Sequence, residues 1–173
     1  MIVVSDTGPL RYLIEVNAAH VLPRLYGQVL TTPQVIRELT LPHFPSVVRN
    51  WIECPPAWLK IDSPDTILFT DRLDMGEASA ISLACERSAR LILIDERDGT
   101  EVARSLGFAT FGTLGVLAQA GARGEIDFER AITQLTKNTK FCHTLEVIDR
   151  TRQRYHELCL DLKKQPSSGD IPG

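Results

Sequence analysis

Four acidic residues stand where an acid can do chemistry: Asp6, Glu38, Glu77 and Asp95. Asp6 comes directly after the apolar residues Ile2, Val3 and Val4, and Asp95 directly after Leu91, Ile92, Leu93 and Ile94. A short run with no polar side reads as a strand buried on both faces, as central parallel strands are. Each aspartate then falls at the carboxyl end of its strand, the edge at which open α/β sheets bind ligands. Glu38 and Glu77 lie in segments of helical spacing that would pack on such a sheet. If the two strands are neighbours, the acids converge. Like carboxylates a few ångströms apart cannot all stay ionised cheaply. A hard divalent cation, Mg²⁺ or Mn²⁺, removes the conflict, because both take oxygen ligands. Such an ion can activate water and stabilise the charge of a phosphodiester under attack. The chain has no GxSxG elbow, no phosphate-binding P-loop and no GxGxxG turn that would carry a different chemistry.

Each acid also has a plainer reading. Asp6 and Asp95 can act as caps for the helices that follow their strands. Glu77 lies three residues after Asp74, the spacing of a capping box. Glu38 alone reads as a solvated helix acid. Asp98 reads first as the N-cap of the helix that follows it. An aspartyl-phosphate mechanism needs a second aspartate two residues after the first, and Gly8 stands there.

The elements that must position these residues can be read in order. After the first strand, Pro9 suits the first turn of a helix whose apolar stripe is Leu10, Leu13 and Ile14. Residues 20–26 read as a second short helix, ended by Gly27, and 28–31 as a strand. Pro33 starts a helix with Val35, Ile36 and Leu39 on one side and Glu38 beside them. Residues 42–71 hold five prolines (42, 45, 55, 56 and 64) and read as an insertion or lid, with a helical turn at 47–52 and a strand at 58–61. Asp74 caps the next helix, whose small residues Ala78, Ile81, Ala84 and Cys85 form a stripe for close packing. A strand at 108–111, a helix from Gly112, a helix capped by Asp127 and a charged helix at 144–162 complete a single domain, 1–162. Residues 163–173 read as a disordered tail. Strands alternating with helices specify a parallel sheet covered on both faces.

The chain has 173 residues, of which 43% are hydrophobic, and this suffices for one real core without disulfides. A net charge of −3 excludes a wholly basic nucleic-acid binder, though not a local basic face. Arg11, Arg37, Arg97 and Arg104 flank the acids and can take phosphate, although each alone reads first as a solvated helix position, and the Thr7 hydroxyl can orient a ligand or water. Cys54, Cys85, Cys142 and Cys159 form no zinc-ligand spacing and read as reduced thiols of a cytoplasmic protein. No apolar run reaches the roughly 20 residues of a membrane helix, and the opening strand leaves no signal peptide. The apolar stretches 22–30 and 112–121 exceed what one small sheet covers, which points to a homodimer.

Taken together and in order, SDTGPL after an N-terminal strand, PQVIREL, LDMGEASAISLA and LILIDERDGTEVARSLGF resemble the PIN-domain ribonucleases, most closely the prokaryotic PIN-like branch related to VapC-type toxins. The likeness covers about residues 1–125. It implies a three-layer Rossmann-like parallel sheet, a site of acids holding Mg²⁺ or Mn²⁺, and cleavage of single-stranded RNA. By motif position Asp6, Glu38, Glu77 and Asp95 are the catalytic and metal-holding acids, with Asp98 as accessory and Thr7 and Arg97 toward the substrate. The resemblance also implies a homodimer and a small antitoxin partner. The alternative is a catalytically silent PIN-like module that binds a protein or RNA. Failure to bind Mn²⁺ would favour it.

Overall fold

The computed structural model describes residues 1–164; residues 165–173, most of the expected tail, lie outside the described residues. Five short strands form one sheet: β1 (Val3–Ser5), β2 (Val29–Thr31), β3 (Leu59–Ile61), β4 (Leu91–Leu93) and β5 (Ala109–Phe111). Their order is β3-β2-β1-β4-β5, and every pairing is parallel. Nine helices surround the sheet among the described residues: α1 (Thr7–Glu15), α2 (Val21–Tyr26), α3 (Pro33–Leu39), α4 (Ser46–Glu53), α5 (Met75–Glu86), α6 (Arg97–Ser105), α7 (Thr113–Ala122), α8 (Phe128–Asn138) and α9 (Leu145–Lys164).

Strand alternation divides the core in two. One face carries Val3, Val29, Leu91 and Leu93 against Leu10, Leu13, Leu22, Val48, Leu117 and Ile132. The other carries Val4 and Ile92 against Ala78, Ile81, Ala84, Val102 and Ala103. This is the α/β architecture with helices on both faces that the alternation of elements specifies.

β1 and β4 are central neighbours, with Val3, Val4 and Ser5 paired to Leu91, Ile92 and Leu93. The Asp6 amide continues the ladder by donating to the Leu93 carbonyl at 2.9 Å. The two aspartates therefore leave adjacent strands at the same edge of the sheet.

Four expectations need correction. The stretch 42–71 is not set over the fold as a lid, because its first part is built into it. α4 buries Val48 and Ile52, and β3 pairs with β2 as an edge strand. The small-residue stripe of α5 is in truth a helix buried all round, from Gly76 to Ala84, while Cys85 is exposed. Asp98 is not an N-cap: Glu96 holds that position, and Asp98 sits in the first turn of α6. The last helix runs to Lys164, so Lys163 and Lys164 belong to it and not to a tail.

Candidate active site

A cavity of about 330 Å³ opens at the carboxyl end of β1, lined by six acids, Asp6, Glu38, Asp74, Glu77, Glu96 and Asp98, together with Thr7, Gly8, Arg11, Tyr12, Phe44 and Arg97. The chain that leaves β1 turns at Asp6 into α1. Asp6 holds the N-cap position of α1, yet its side chain accepts no capping hydrogen bond. The residue is only 3% exposed, and its Oδ1 is buried with no partner among the described residues. Burial lifts the Asp6 carboxyl well above its usual range, and the charges of Asp74, Glu77 and Glu38 add to the rise. The Thr7 amide offsets part of it.

Glu77 reaches the cavity from the start of α5. The capping box with Asp74 is complete: Asp74 Oδ1 accepts from the Glu77 amide at 2.8 Å, and Glu77 Oε2 accepts from the Asp74 amide at 3.3 Å. The box uses one oxygen only. Glu77 Oε1 is buried and unpartnered, like Asp6 Oδ1. Burial first, then the Asp74 charge, raise the Glu77 carboxyl to about 7. A buried carboxylate oxygen with no donor costs free energy unless a proton or a cation satisfies it.

Glu38 comes from α3 and is held from the other side, where the Thr7 hydroxyl donates to its Oε2 at 2.6 Å. Thr32 and Ser79 tie α3 to α5 through a buried hydroxyl pair at 2.7 Å, which fixes the helices that carry Glu38 and Glu77. Two glycines allow the acids to approach. A Cβ on Gly76 would stand 2.6 Å from Glu38 Oε2, and one on Gly99 would stand 2.7 Å from Glu77 Oε1 and 2.4 Å from Ile94 Cδ1.

Asp95 is placed differently from the other sequence-derived acids. Its Oδ1 accepts from the Thr113 amide at 2.7 Å and its Oδ2 from the Thr113 hydroxyl at 2.6 Å. It lines a neighbouring cavity with Arg97, Thr100, Arg104 and Gly112, and stands just behind Gly8, where an added Cβ would meet Asp95 Oδ2 at 3.0 Å. Burial raises its carboxyl, and the two Thr113 hydrogen bonds oppose the rise. The structure thus brings Asp6, Glu38, Glu77, Asp98, Thr7 and Arg97 to one cavity and sets Asp95 against its wall. The Arg97 side chain is 88% exposed and paired with Glu101 at 3.0 Å.

Asp74 and Glu96 were not singled out as site acids by sequence. Asp74 was legible only as a cap, and Glu96 only as a neighbour of Asp95. Phe44 carried no signal at all.

The donor chemistry fits a hard divalent ion: all the candidate ligands are carboxylate oxygens, and two of them are buried without partners. No three acids among the described residues are already drawn together as a metal-ligating group. Among the same residues no helix is long and apolar enough to cross a membrane.

The chain is thus a parallel α/β sheet with an acid-walled cavity at the carboxyl end of its central strand. The family model DUF3368, described as a PIN domain, matches residues 2–157, and the chain belongs to that family. PIN domains are generally nucleases that use divalent metal ions, so nuclease-type function comes with the family. No curated protein and no solved structure matches the chain.

Proposed function

We propose that the protein is a Mg²⁺- or Mn²⁺-dependent endoribonuclease that cleaves single-stranded RNA. The observation that carries this reading is the pair of buried, unpartnered carboxylate oxygens, Asp6 Oδ1 and Glu77 Oε1, in one cavity at the sheet edge. Asp6 and Glu77 would hold the ion, with Glu38 beside them and Asp98 as accessory. When bound, a divalent ion supplies activation of water and charge stabilisation at the phosphodiester.

The chain's own residues supply the rest. Thr7 fixes the Glu38 carboxylate through its hydroxyl. Asp74 fixes Glu77 through the capping box and leaves Oε1 free. With its carboxyl raised to about 7, Glu77 carries a proton for part of the time near neutrality, and it would give that proton up on holding a cation. Asp95 holds the start of α7 and the backing of Gly8, a positioning role in this arrangement.

The resemblance to VapC-type toxins extends the proposal to the toxin of a toxin–antitoxin pair in the cytoplasm, a small antitoxin as partner, and a homodimer. The stretches 22–30 and 112–121 are largely covered within the chain, with Leu22, Val29, Val116, Leu117 and Ala120 buried, so the homodimer rests on the resemblance alone. Light scattering at tens of micromolar should give twice the 19.3 kDa chain mass; a monomer there removes the dimer. The test of the nuclease reading is cleavage of an unstructured RNA pool. The wild type should cut in Mn²⁺, stop in chelator and resume on adding Mn²⁺ back. Glu77→Gln should be inactive with an unchanged circular dichroism spectrum. Wild type that cuts nothing in either ion overturns the reading.

A further inference from the structure

We infer that Arg11 is the residue that grips the RNA phosphate at the acid cavity, and that Phe44 and Tyr12 position it. The inference rests on the nuclease reading and adds to it a substrate-binding residue. A cavity walled by six acids repels a phosphodiester, so a fixed positive charge must face the strand that enters. Four arginines flank the site in sequence. Two of them line this cavity, Arg11 and Arg97. Arg97 is 88% exposed and held only by Glu101. Arg104 lines the neighbouring cavity and donates to Thr110 at 2.9 Å. Arg37 lines a different cavity, beyond Glu38.

Arg11 is fixed by position and by contact. α1 turns Thr7, Gly8, Arg11 and Tyr12 to the cavity and buries Pro9, Leu10, Leu13 and Ile14 on its other side. Arg11 Nε donates to Glu15 Oε1 at 2.7 Å, one turn along the same helix. The guanidinium carbon lies 4.7 Å from the Tyr12 ring centre and 5.0 Å from the Phe44 ring centre, within cation–π range of both. The side chain is 19% exposed. Among the described residues only Nε has a hydrogen-bond partner, so Nη1 and Nη2 keep their donors. A planar fork already held in place loses little freedom when it binds two phosphate oxygens.

Phe44 explains why the proline-rich stretch matters to the site. It is 6% exposed, and Arg49 Nε donates to its carbonyl at 3.2 Å, which locks the turn before α4. The segment that reads as an insertion thereby supplies one wall of the arginine's seat.

A purely structural Arg11, serving only its pair with Glu15, would affect melting and leave RNA alone. The test therefore follows cleavage of a 5′-labelled oligouridylate in Mn²⁺ by the full chain between 50 and 200 mM salt. Arg11→Gln should raise KM about tenfold, with a smaller change in kcat. Its dependence of log KM on log salt should flatten by roughly 0.7, the value of one phosphate contact on a single strand. Arg11→Lys keeps the charge and the salt slope but loses the fork, and should fall between the two. Phe44→Leu should raise KM several-fold, and Arg150→Gln on α9 should match wild type. Circular dichroism confirms that each variant is folded, and Arg11→Lys with Phe44→Leu carries the test if Arg11→Gln is not. Unchanged KM and salt slope in folded Arg11 and Phe44 variants of an active enzyme would overturn this inference alone. A wild type that cuts no RNA overturns the nuclease reading and this inference with it.

Discussion

At the end of β1, Asp6 occupies the N-cap position of α1 and caps nothing, whereas at the end of β4, Asp95 caps the start of α7, 18 residues further along the chain. The two aspartates follow adjacent parallel strands and are both buried enough to have raised carboxyls. What separates them is the presence of a donor. Thr113 offers Asp95 an amide and a hydroxyl, and both oxygens take them. No such residue reaches Asp6 Oδ1. An ionised Asp6 is therefore costly in the metal-free protein, and a cation is the partner that would remove the cost. Asp95 already has two hydrogen-bond donors from Thr113, so it has less need of a cation than Asp6.

The sharpest way to break this contrast is catalytic. Asp6→Asn should lower Mn²⁺-dependent RNA cleavage about a hundredfold or more, since loss of even the outer partners of metal ligands costs 10–100-fold. Next in size, Asp95→Ala should destabilise the protein by about 2 kcal/mol, because a buried Thr113 amide loses its acceptor. Denaturant melts of Asp95→Ala, Thr113→Val and the double variant should show strong non-additivity, as expected for residues in one hydrogen-bonded unit. Additive losses would mean the Thr113 contacts are incidental.

A smaller effect separates the two aspartates by sign. Asp6→Asn removes a buried charge that lacks a partner and should raise the metal-free melting temperature by a few degrees, roughly 1 kcal/mol at 2–4 °C per kcal/mol. Asp95→Asn replaces an acceptor facing Thr113 with a donor and should lower it. Equal signs would erase the distinction.

A further effect is a pH slope. Glu77 has a folded value of about 7 against its ordinary 4.5. A carboxyl raised on folding stabilises the protein fully below its unfolded value, and that contribution is lost as pH climbs through the folded value. Metal-free stability should therefore decline between about pH 4.5 and 7, and Glu77→Gln should flatten the decline. A slope that persists in Glu77→Gln belongs to other groups.

Much of the fold could be read from the chain because its central strands are uninterrupted apolar runs and its helices carry caps, such as Asp74 and Asp127, whose side chains accept as their spacing specifies. In the stretch 42–71 the helix and the strand could be read, but not their place in the fold, because β3 is an edge strand with one buried residue, Leu59, and α4 lies between prolines. The acids at 6, 38 and 77 were legible as site candidates, since strand ends and a helix flank fix their direction. Asp95 reads like Asp6 because nothing local distinguishes the two, and the hydrogen bonds that set it apart could not be read. Its partner, Thr113, lies across β5, beyond any local pattern. Phe44 was invisible for a related reason: its role depends on Arg11, which the fold alone brings to it.

The central claim is that Asp6 Oδ1 is kept without a protein partner so that the carboxylate can bind a divalent ion. The most direct test is the melting temperature of wild type, Asp6→Asn and Asp95→Asn with and without millimolar Mn²⁺. Ion binding to the native state alone should raise the wild-type value by several degrees, and stabilisation at 100 times the dissociation constant is about 2.7 kcal/mol. Asp6→Asn should start higher and gain almost nothing from the ion, while Asp95→Asn should start lower and still respond. A Mn²⁺ shift of the same size in Asp6→Asn as in wild type would contradict the assignment of Asp6 as a metal ligand.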